Sequence, residues 1–289
     1  MNNDNYITSI VEDGLSSSYI DALLTALFYK NNKNLLSILD LTPAKPSGIY
    51  LQELIKQKFV EPLQRNFSIN SATINEIRNY SIICGFEIND IVKEQNVLNY
   101  FKFIAELFNI EKMTFEIEQI KDNINIINNN KLSIEYLIFK PQSDTSIKKL
   151  LENWINTNIF KIDQAINNSH IYNIYSLSMI PTYIIIYINR YEDNKKLDIK
   201  IDIMKRIKFY NNNLNSQNYL KWNLHSIICH CGSSIDSGNY YSIIYHNKYP
   251  ILFNNKYFPS FTQININDDE IKDKIMTESV MLIYTLNDI

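Results

Sequence analysis

Glycine and proline are both scarce in this chain, which has 5 and 7 of them among its 289 residues. Linkers and low-complexity tails are rich in these residues, so the composition argues against both. An excess of positive charge is lacking as well, since the formal net charge is −3. Nucleic-acid binding usually needs a basic face, so the composition gives no electrostatic signature of it. Hydrophobic residues make up 45%, which is enough to bury a sizeable core.

Cysteine is also rare, with three in the chain, so no disulfide framework is expected. Cys229, His230 and Cys231 look like part of a metal site. On a strand, however, the two cysteines share one face and His230 points to the other. No second pair of ligands exists elsewhere in the sequence, so a closed zinc site cannot be completed. We therefore predict reduced thiols, no metal and no other cofactor.

Long apolar runs are missing. The most apolar stretch, SMIPTYIIIYINRY at residues 178–191, is too short and too interrupted to span a bilayer. The first residues lack the basic region and apolar run of a signal peptide. We expect an intracellular chain without a membrane partner. Asn and Ile are heavily used, as in proteins from the AT-rich genomes of some large DNA viruses or protozoa. For a viral protein, the setting would be the host cytoplasm or the virion.

Two patterns of apolar spacing divide what is present. Residues 16–115 carry helical spacing, beginning with Ile20, Leu23, Leu24 and Leu27 on one stripe. From residue 116 onward, short alternating segments indicate strands, with one helix near 145–155. The sequence therefore predicts an α+β fold in a single domain over 1–289, helical over 1–115 and β-rich over 116–289.

Six segments, in this order, resemble the conserved boxes of the ubiquitin-specific proteases, the papain-like deubiquitinases. The resemblance spans nearly the whole chain and implies a helical thumb and an antiparallel β palm. The family's fingers usually carry paired Cys-x-x-Cys motifs, which are lacking here, so short zinc-free fingers are expected. The segments are SYIDALLTALF (18–28), EQNVLNYFKFIAELF (94–108), PTYIIIYINRY (181–191), LHSIICHCGSSIDSGNYYSIIY (224–245), ILFNNKYF (251–258) and ESVMLIYTL (278–286).

The resemblance implies four site positions, and this chain departs from the family at each of them. Ser18 stands where the family has its cysteine nucleophile, and a hydroxyl is far less acidic than a thiol. Asn239 stands at the histidine, and an amide cannot act as a general base. Asn255 falls at the residue that orients the imidazole. Asp13 falls near an oxyanion-stabilising Asn, where a carboxylate repels negative charge.

The same resemblance implies a narrow channel that threads the tail of ubiquitin. Its candidate binding residues here are Tyr19, Gln95, Gly238, Tyr240 and Tyr241, and we expect the three tyrosines to fill the channel. Ser18 is expected to cap a buried helix running to about residue 29. Asn239 is expected to begin the facing strand, within reach of Ser18. The partner is then ubiquitin or another protein.

These substitutions predict a catalytically inactive deubiquitinase-like protein that acts by protein binding or as a scaffold. The alternative is an active deubiquitinase, with Ser18 an engineered replacement of the nucleophilic cysteine or with an unconventional base. His230 is one candidate for that base, although its counterpart in the family is structural. A different class, a viral structural protein that only mimics the boxes, would not bring Ser18 and Asn239 together across a cleft.

Overall fold

The computed structural model of the chain describes residues 11–30, 32–88, 90–121, 124–156, 160–161, 170–210, 219–245 and 249–286. Its α-helices are α1 (Ser18–Phe28), α2 (Lys33–Leu36), α3 (Pro46–Ile55), α4 (Glu61–Gln64), α5 (Ser71–Ile83), α6 (Val97–Leu107), α7 (Ile147–Asn156) and α8 (Asp269–Glu278). Its strands are β1 (Met113–Lys121), β2 (Ile124–Ile134), β3 (Leu137–Phe139), β4 (Thr145–Ser146), β5 (Phe160–Lys161), β6 (His170–Leu177), β7 (Tyr183–Ile188), β8 (Tyr191–Glu192), β9 (Lys195–Lys196), β10 (Ile201–Asp202), β11 (Arg206–Tyr210), β12 (Tyr219–Cys231), β13 (Asn239–Ile244), β14 (Ile251–Phe253), β15 (Phe261–Gln263) and β16 (Ser279–Leu286).

Helix α1 lies at the centre of the protein. All of its residues are buried, because α5 and α6 pack on it from the helical half while β12 and β13 pack on it from the sheet. The sequence suggested a single apolar stripe, yet Ser18, Asp21 and Thr25 on the other faces are buried as well. A helix enclosed in this way fixes the position of its first residues relative to β13.

A continuous helical segment runs from Pro46 to Gln64, and its middle is a π-helical stretch over Lys56–Val60. Pro46 is accepted at the first turn, where a backbone N–H would have no partner anyway. Pro62 lies within the continuing helix and has no N–H to donate. The wider π turn lies just before Pro62, where the regular hydrogen-bond ladder is interrupted.

The main sheet has the order β15-β14-β13-β12-β16-β7-β3, and β11 also pairs with β12. Its strands are antiparallel except for the parallel pair β3–β7. Strands β7 and β13 are buried along their whole length, which explains continuous runs such as YIIIYI. One face packs on the helical half and the other on α7, α8 and neighbouring strands. The predicted α+β fold is confirmed.

Two further features of the β half bear on the sequence predictions. Helix α8 was not predicted, because the segment is strongly polar and Ile275 is its one buried residue. The available signal was the N-cap: the side chain of Asp268 accepts hydrogen bonds from the backbone N–H groups of Glu270 and Ile271.

Within the described ranges, no group of three His, Cys, Asp or Glu could hold a metal ion. No helix of the described part is long and apolar enough to cross a membrane.

Arg190 joins the end of β7 to α8 and β16. Its guanidinium is fully buried, and it donates to the carbonyl oxygens of Ser279, Ile199 and Met276 at 2.6, 2.7 and 2.6 Å. Burial lowers the pKa of Arg190 to about 10. The Arg190 side chain therefore links separate segments of the chain through their backbone carbonyls.

Candidate functional site

Ser18 is the first residue of α1, and the N-cap is Ser17. The expectation that Ser18 caps the helix is therefore wrong by one position. The Ser17 hydroxyl accepts a hydrogen bond from the N–H of Gly14 at 2.8 Å. It lies 3.1 Å from Asp13 Oδ1 and 3.0 Å from Asp21 Oδ2, so its single proton is shared between two carboxyl groups.

The hydroxyl of Ser18 joins the helix to the facing strand. Its Oγ donates to Glu94 Oε1 at 2.6 Å and accepts from the backbone N–H of Tyr240 at 2.8 Å. Tyr240 directly follows Asn239, so α1 and the start of β13 meet at this hydroxyl. Both the proton and an acceptor site of Ser18 are thus committed to groups of the protein itself.

Glu94 is the residue of the site that sequence reasoning missed. Besides Ser18, its Oε1 accepts the backbone N–H of Tyr19 at 3.0 Å, and the residue is 8% exposed. Burial raises the pKa of Glu94 to about 7, against the opposing effect of the hydrogen bonds from Ser18 and Tyr19. The signal in the sequence was the position of Glu94 directly before Gln95, in a segment already assigned to the site.

Asn239 begins β13, as predicted. Its Nδ2 donates to Asn254 Oδ1 at 3.1 Å and to the carbonyl of Tyr240 at 3.0 Å, while its buried Oδ1 has no partner. Its side-chain hydrogen bonds therefore go to β13 and to the loop after β14. The link from Ser18 runs instead to the backbone N–H next to Asn239.

Asn255 contacts α1, whereas its neighbour Asn254 contacts Asn239. Asn255 Nδ2 donates to Asp21 Oδ2 at 2.7 Å, deep in the protein. Burial raises the pKa of Asp21 well above its usual range, and the hydrogen bonds from Ser17 and Asn255 oppose that rise. Asn255 was predicted to orient the group at position 239. In this structure it is Asn254, and not Asn255, that contacts the side chain of Asn239.

Asp13 lies on the loop before α1, where Asp13 Oδ1 accepts from the backbone N–H of Ser17 at 3.4 Å. Two residues of this loop, Leu15 and Ser16, have left-handed backbone angles with φ of 67° and 51°. Such angles are uncommon for residues other than glycine, so the entry to α1 is held under strain. The Ser16 hydroxyl donates to the carbonyl of Val92 at 2.7 Å, which ties this loop to the loop that carries Glu94.

Comparison with known protein families identifies one that matches this chain. The family described as "Ubiquitin carboxyl-terminal hydrolase" matches residues 17–284, from the cap of α1 almost to the end of β16. The chain belongs to the ubiquitin carboxyl-terminal hydrolase family. The comparison with curated protein sequences returns no match.

Solved structures show the same fold at low sequence identity. Two similar structures contain the SAGA DUB module of Ubp8, Sgf11, Sus1 and Sgf73, one bound to monoubiquitin and one to ubiquitin aldehyde. Each is 13% identical, with TM-scores of 0.68 and 0.67, and the matches cover 98% of this chain and 70% of that chain. A yeast SAGA DUBm structure with a mutant Sgf73 matches with a TM-score of 0.66, also at 13% identity, over 98% and 69% of the two chains.

The three tyrosines predicted to fill the hydrolase channel lie apart. The Tyr19 ring packs against Phe86 and Tyr100 among the helices, and Tyr240 lies against the ring of His230 at 4.3 Å. Tyr241 packs into the core on the other face of the sheet, where its hydroxyl donates to Glu278 at 2.8 Å. The expectation that all three rings share one channel is therefore wrong, and Tyr240 contacts Ser18 through its backbone N–H.

The two other predicted binding residues shape loops of the hydrolase fold. Gln95 Nε2 donates to the carbonyls of Asp90 and Lys93 at 3.0 and 2.9 Å, so it braces the loop that carries Glu94. Gly238 has a φ of +119°, and a Cβ there would lie 2.1 Å from the carbonyl oxygen of Cys231. Only glycine fits this turn into β13.

His230, the candidate replacement base, is occupied elsewhere in the fold. Its Nδ1 is hydrogen-bonded to the hydroxyl of Tyr191, and the backbone of Ser237 also interacts with the ring. Burial lowers the pKa of His230 to about 4, and the positive charge of Lys196 acts in the same direction. Neither ring nitrogen contacts Ser18, so His230 fits a structural role.

Proposed function

We propose that this member of the hydrolase family has lost peptidase activity and acts by binding another protein. The observation that carries the proposal is the bonding of Ser18. Its hydroxyl proton is held by Glu94, its lone pair accepts the N–H of Tyr240, and the base position next to it is Asn239. No imidazole contacts this hydroxyl among the residues that the structure describes.

The chemistry of peptide cleavage needs a nucleophile, a base and donors for the oxyanion. A serine hydroxyl needs a strong, well-placed base, and the amide of Asn239 cannot accept its proton in the useful pH range. Asp13 and Glu94 place carboxyl groups around the position where negative charge would develop. These groups oppose the transition state of acyl transfer instead of stabilising it.

Burial at the site supports binding through the outer surface. Ser18 is 1% exposed and Asn239 is 2% exposed, and the Ser18 hydroxyl accepts the backbone N–H of Tyr240, the residue after Asn239. A peptide entering here would have to displace that hydrogen bond. We therefore place the partner on the surface around the site, with ubiquitin or another protein as the partner class. An intracellular setting, within a host cell or virion for a viral protein, stays a prediction.

A single pair of assays tests the proposal. The first measures hydrolysis of a ubiquitin C-terminal fluorogenic substrate by the natural chain, Ser18→Ala and Glu94→Gln, and we expect no turnover from any of them. The second titrates the chain with ubiquitin and with ubiquitin that lacks its last residues. We expect any binding to be insensitive to that truncation, because the channel at Ser18 is closed.

An active hydrolase is the second candidate, and one contact favours it. Glu94 accepts the Ser18 proton at 2.6 Å and has a pKa of about 7, which suits a general base near neutral pH. Turnover by the natural chain that disappears in both Ser18→Ala and Glu94→Gln would establish this serine–carboxylate pair. Turnover that depends on Ser18, or micromolar binding lost on truncation of ubiquitin, would contradict the proposal above.

A further inference from the structure

Glu94 is anchored on the positive end of α1. Its Oε1 accepts from both the hydroxyl of Ser18 and the backbone N–H of Tyr19, which are the first two residues of the helix. Backbone N–H groups at a helix start favour a negative charge, and in this structure the carboxyl group of Glu94 takes that place. The favourable end of the helix is therefore already occupied by the protein itself.

The charged and titratable groups around Glu94 come from four other segments. Asp13 on the loop before α1 adds negative charge, and Lys256 on the loop after β14 adds positive charge. Asp21 inside α1 is a further carboxyl group, whose pKa burial raises well above its usual range. Arg78 of α5 is a second cation, which acts on Tyr19 and donates to the carbonyl of Leu15. Asp13 and Asp21 share the hydroxyl of Ser17, one residue before Ser18. A second negative charge at position 18 would thus form in direct contact with the carboxylate of Glu94 and near that of Asp13, with Lys256 and Arg78 as the nearby cations.

We propose that Glu94 is an inhibitory residue of this site, whose carboxylate suppresses the formation of a negatively charged nucleophile at position 18. The inference rests on the proposed loss of activity and deepens it. It adds a third cause to the missing thiol and imidazole, one that lies on a different segment of the chain. Restoring cysteine and histidine at positions 18 and 239 would then leave the nucleophile protonated near neutral pH.

The test reads the ionisation of a thiol placed at position 18. Ser18→Cys and Ser18→Cys/Glu94→Gln are alkylated with iodoacetamide across a range of pH, and the peptide carrying position 18 is quantified by mass spectrometry. Reading that peptide alone keeps exposed Cys231 out of the signal. Glutamine keeps an oxygen to which the thiol at position 18 and the backbone N–H of Tyr19 can donate, so the comparison changes the charge and preserves the shape.

We expect Glu94→Gln to move the alkylation profile to lower pH by roughly 1 to 3 units, the usual effect of removing a neighbouring like charge. Alkylation near neutral pH then rises by about tenfold or more. Ser18→Cys/Glu94→Asp keeps the charge and should retain the high profile. Glu87→Gln, at an exposed glutamate, is the matched control for a change of net charge.

A second readout repeats the alkylation comparison with a histidine at the base position. Ser18→Cys/Asn239→His should react slowly near neutral pH, and adding Glu94→Gln should raise its alkylation by about tenfold or more. Superimposed alkylation profiles with and without Glu94→Gln, or a thiol that reacts in neither variant, would overturn the inference. Failure of the proposed function shows elsewhere, as Ser18-dependent turnover by the natural chain, so the two failures are distinguishable.

Discussion

Replacing Glu94 with glutamine should remove a large pH dependence of stability. The folded protein holds the Glu94 proton up to a pKa of about 7, whereas the ordinary pKa of this group is 4.5. Between these values the folded chain binds a proton that the unfolded chain has released. The contribution to stability is therefore complete below the ordinary pKa and is lost as the pH rises through about 7.

The magnitude follows from the size of the shift. One pKa unit corresponds to about 1.4 kcal/mol, so the shift of Glu94 predicts a loss of about 3 kcal/mol in the free energy of unfolding. Burial of Asp21 raises its pKa as well and acts in the same direction. Because Asp21 is present in both proteins, its burial cancels in the difference between the natural chain and Glu94→Gln, which then reports Glu94 together with its charge interaction with Asp21.

Urea unfolding at about pH 5 and about pH 8 measures the difference. At the lower pH the two proteins should be similar, since a protonated carboxyl and an amide have nearly the same shape and polarity. At the higher pH, Glu94→Gln should be more stable by about 3 kcal/mol. Glu87→Gln, an exposed change, should show no such gain. A difference between the natural chain and Glu94→Gln that is the same at both pH values would refute the reasoning.

Two further predictions concern residues that shape the site and its support. Gly238→Ala should lower stability by roughly 2–4 kcal/mol, because a Cβ clashes with the carbonyl of Cys231. Gly85→Ala is the control, because Gly85 has a φ of +108° but no atom within 4 Å of a new Cβ, so it tests backbone strain without a clash. Equal losses of stability in the two variants, measured by thermal unfolding, would contradict the clash at Gly238. Arg190→Met should cost about 3 kcal/mol or more by leaving buried carbonyls unpaired. Arg65→Met, at an exposed position, should change the free energy of unfolding little. A similar loss of stability in both variants would argue against a stabilising role for the hydrogen bonds of Arg190.

Local patterns in the sequence were sufficient to locate the two main elements of the site. Apolar spacing from Ile20 onward predicted a helix capped at Ser18, one residue later than the observed cap, and a strand was predicted to begin at Asn239, directly after Gly238. Both starts lie within one residue of those observed, because a helix cap and a glycine turn are local features. The order of the segments then predicted that the two elements would meet.

Contacts between distant segments were beyond reach. Glu94 lies 76 residues from Ser18 along the chain, and a glutamate among Asp90, Lys93 and Gln95 has the composition of a solvated loop. Only the fold turns this residue inward, where Gln95 braces the loop from behind. The sequence likewise left no means to tell which of two consecutive asparagines, Asn254 or Asn255, would contact Asn239.

The hydrogen bonds of the four predicted catalytic positions are directed into the protein. Ser18 binds Glu94, Asn239 binds Asn254, Asn255 binds Asp21 and Asp13 binds Ser17. A hydrolase keeps such groups aimed at its substrate, and that arrangement commonly costs stability. Here the same positions join α1, β13 and the loops beside them, and this internal bonding supports the proposed loss of turnover. The two amide oxygens left without partners, on Asn239 and Asn255, mark where that internal network is still incomplete.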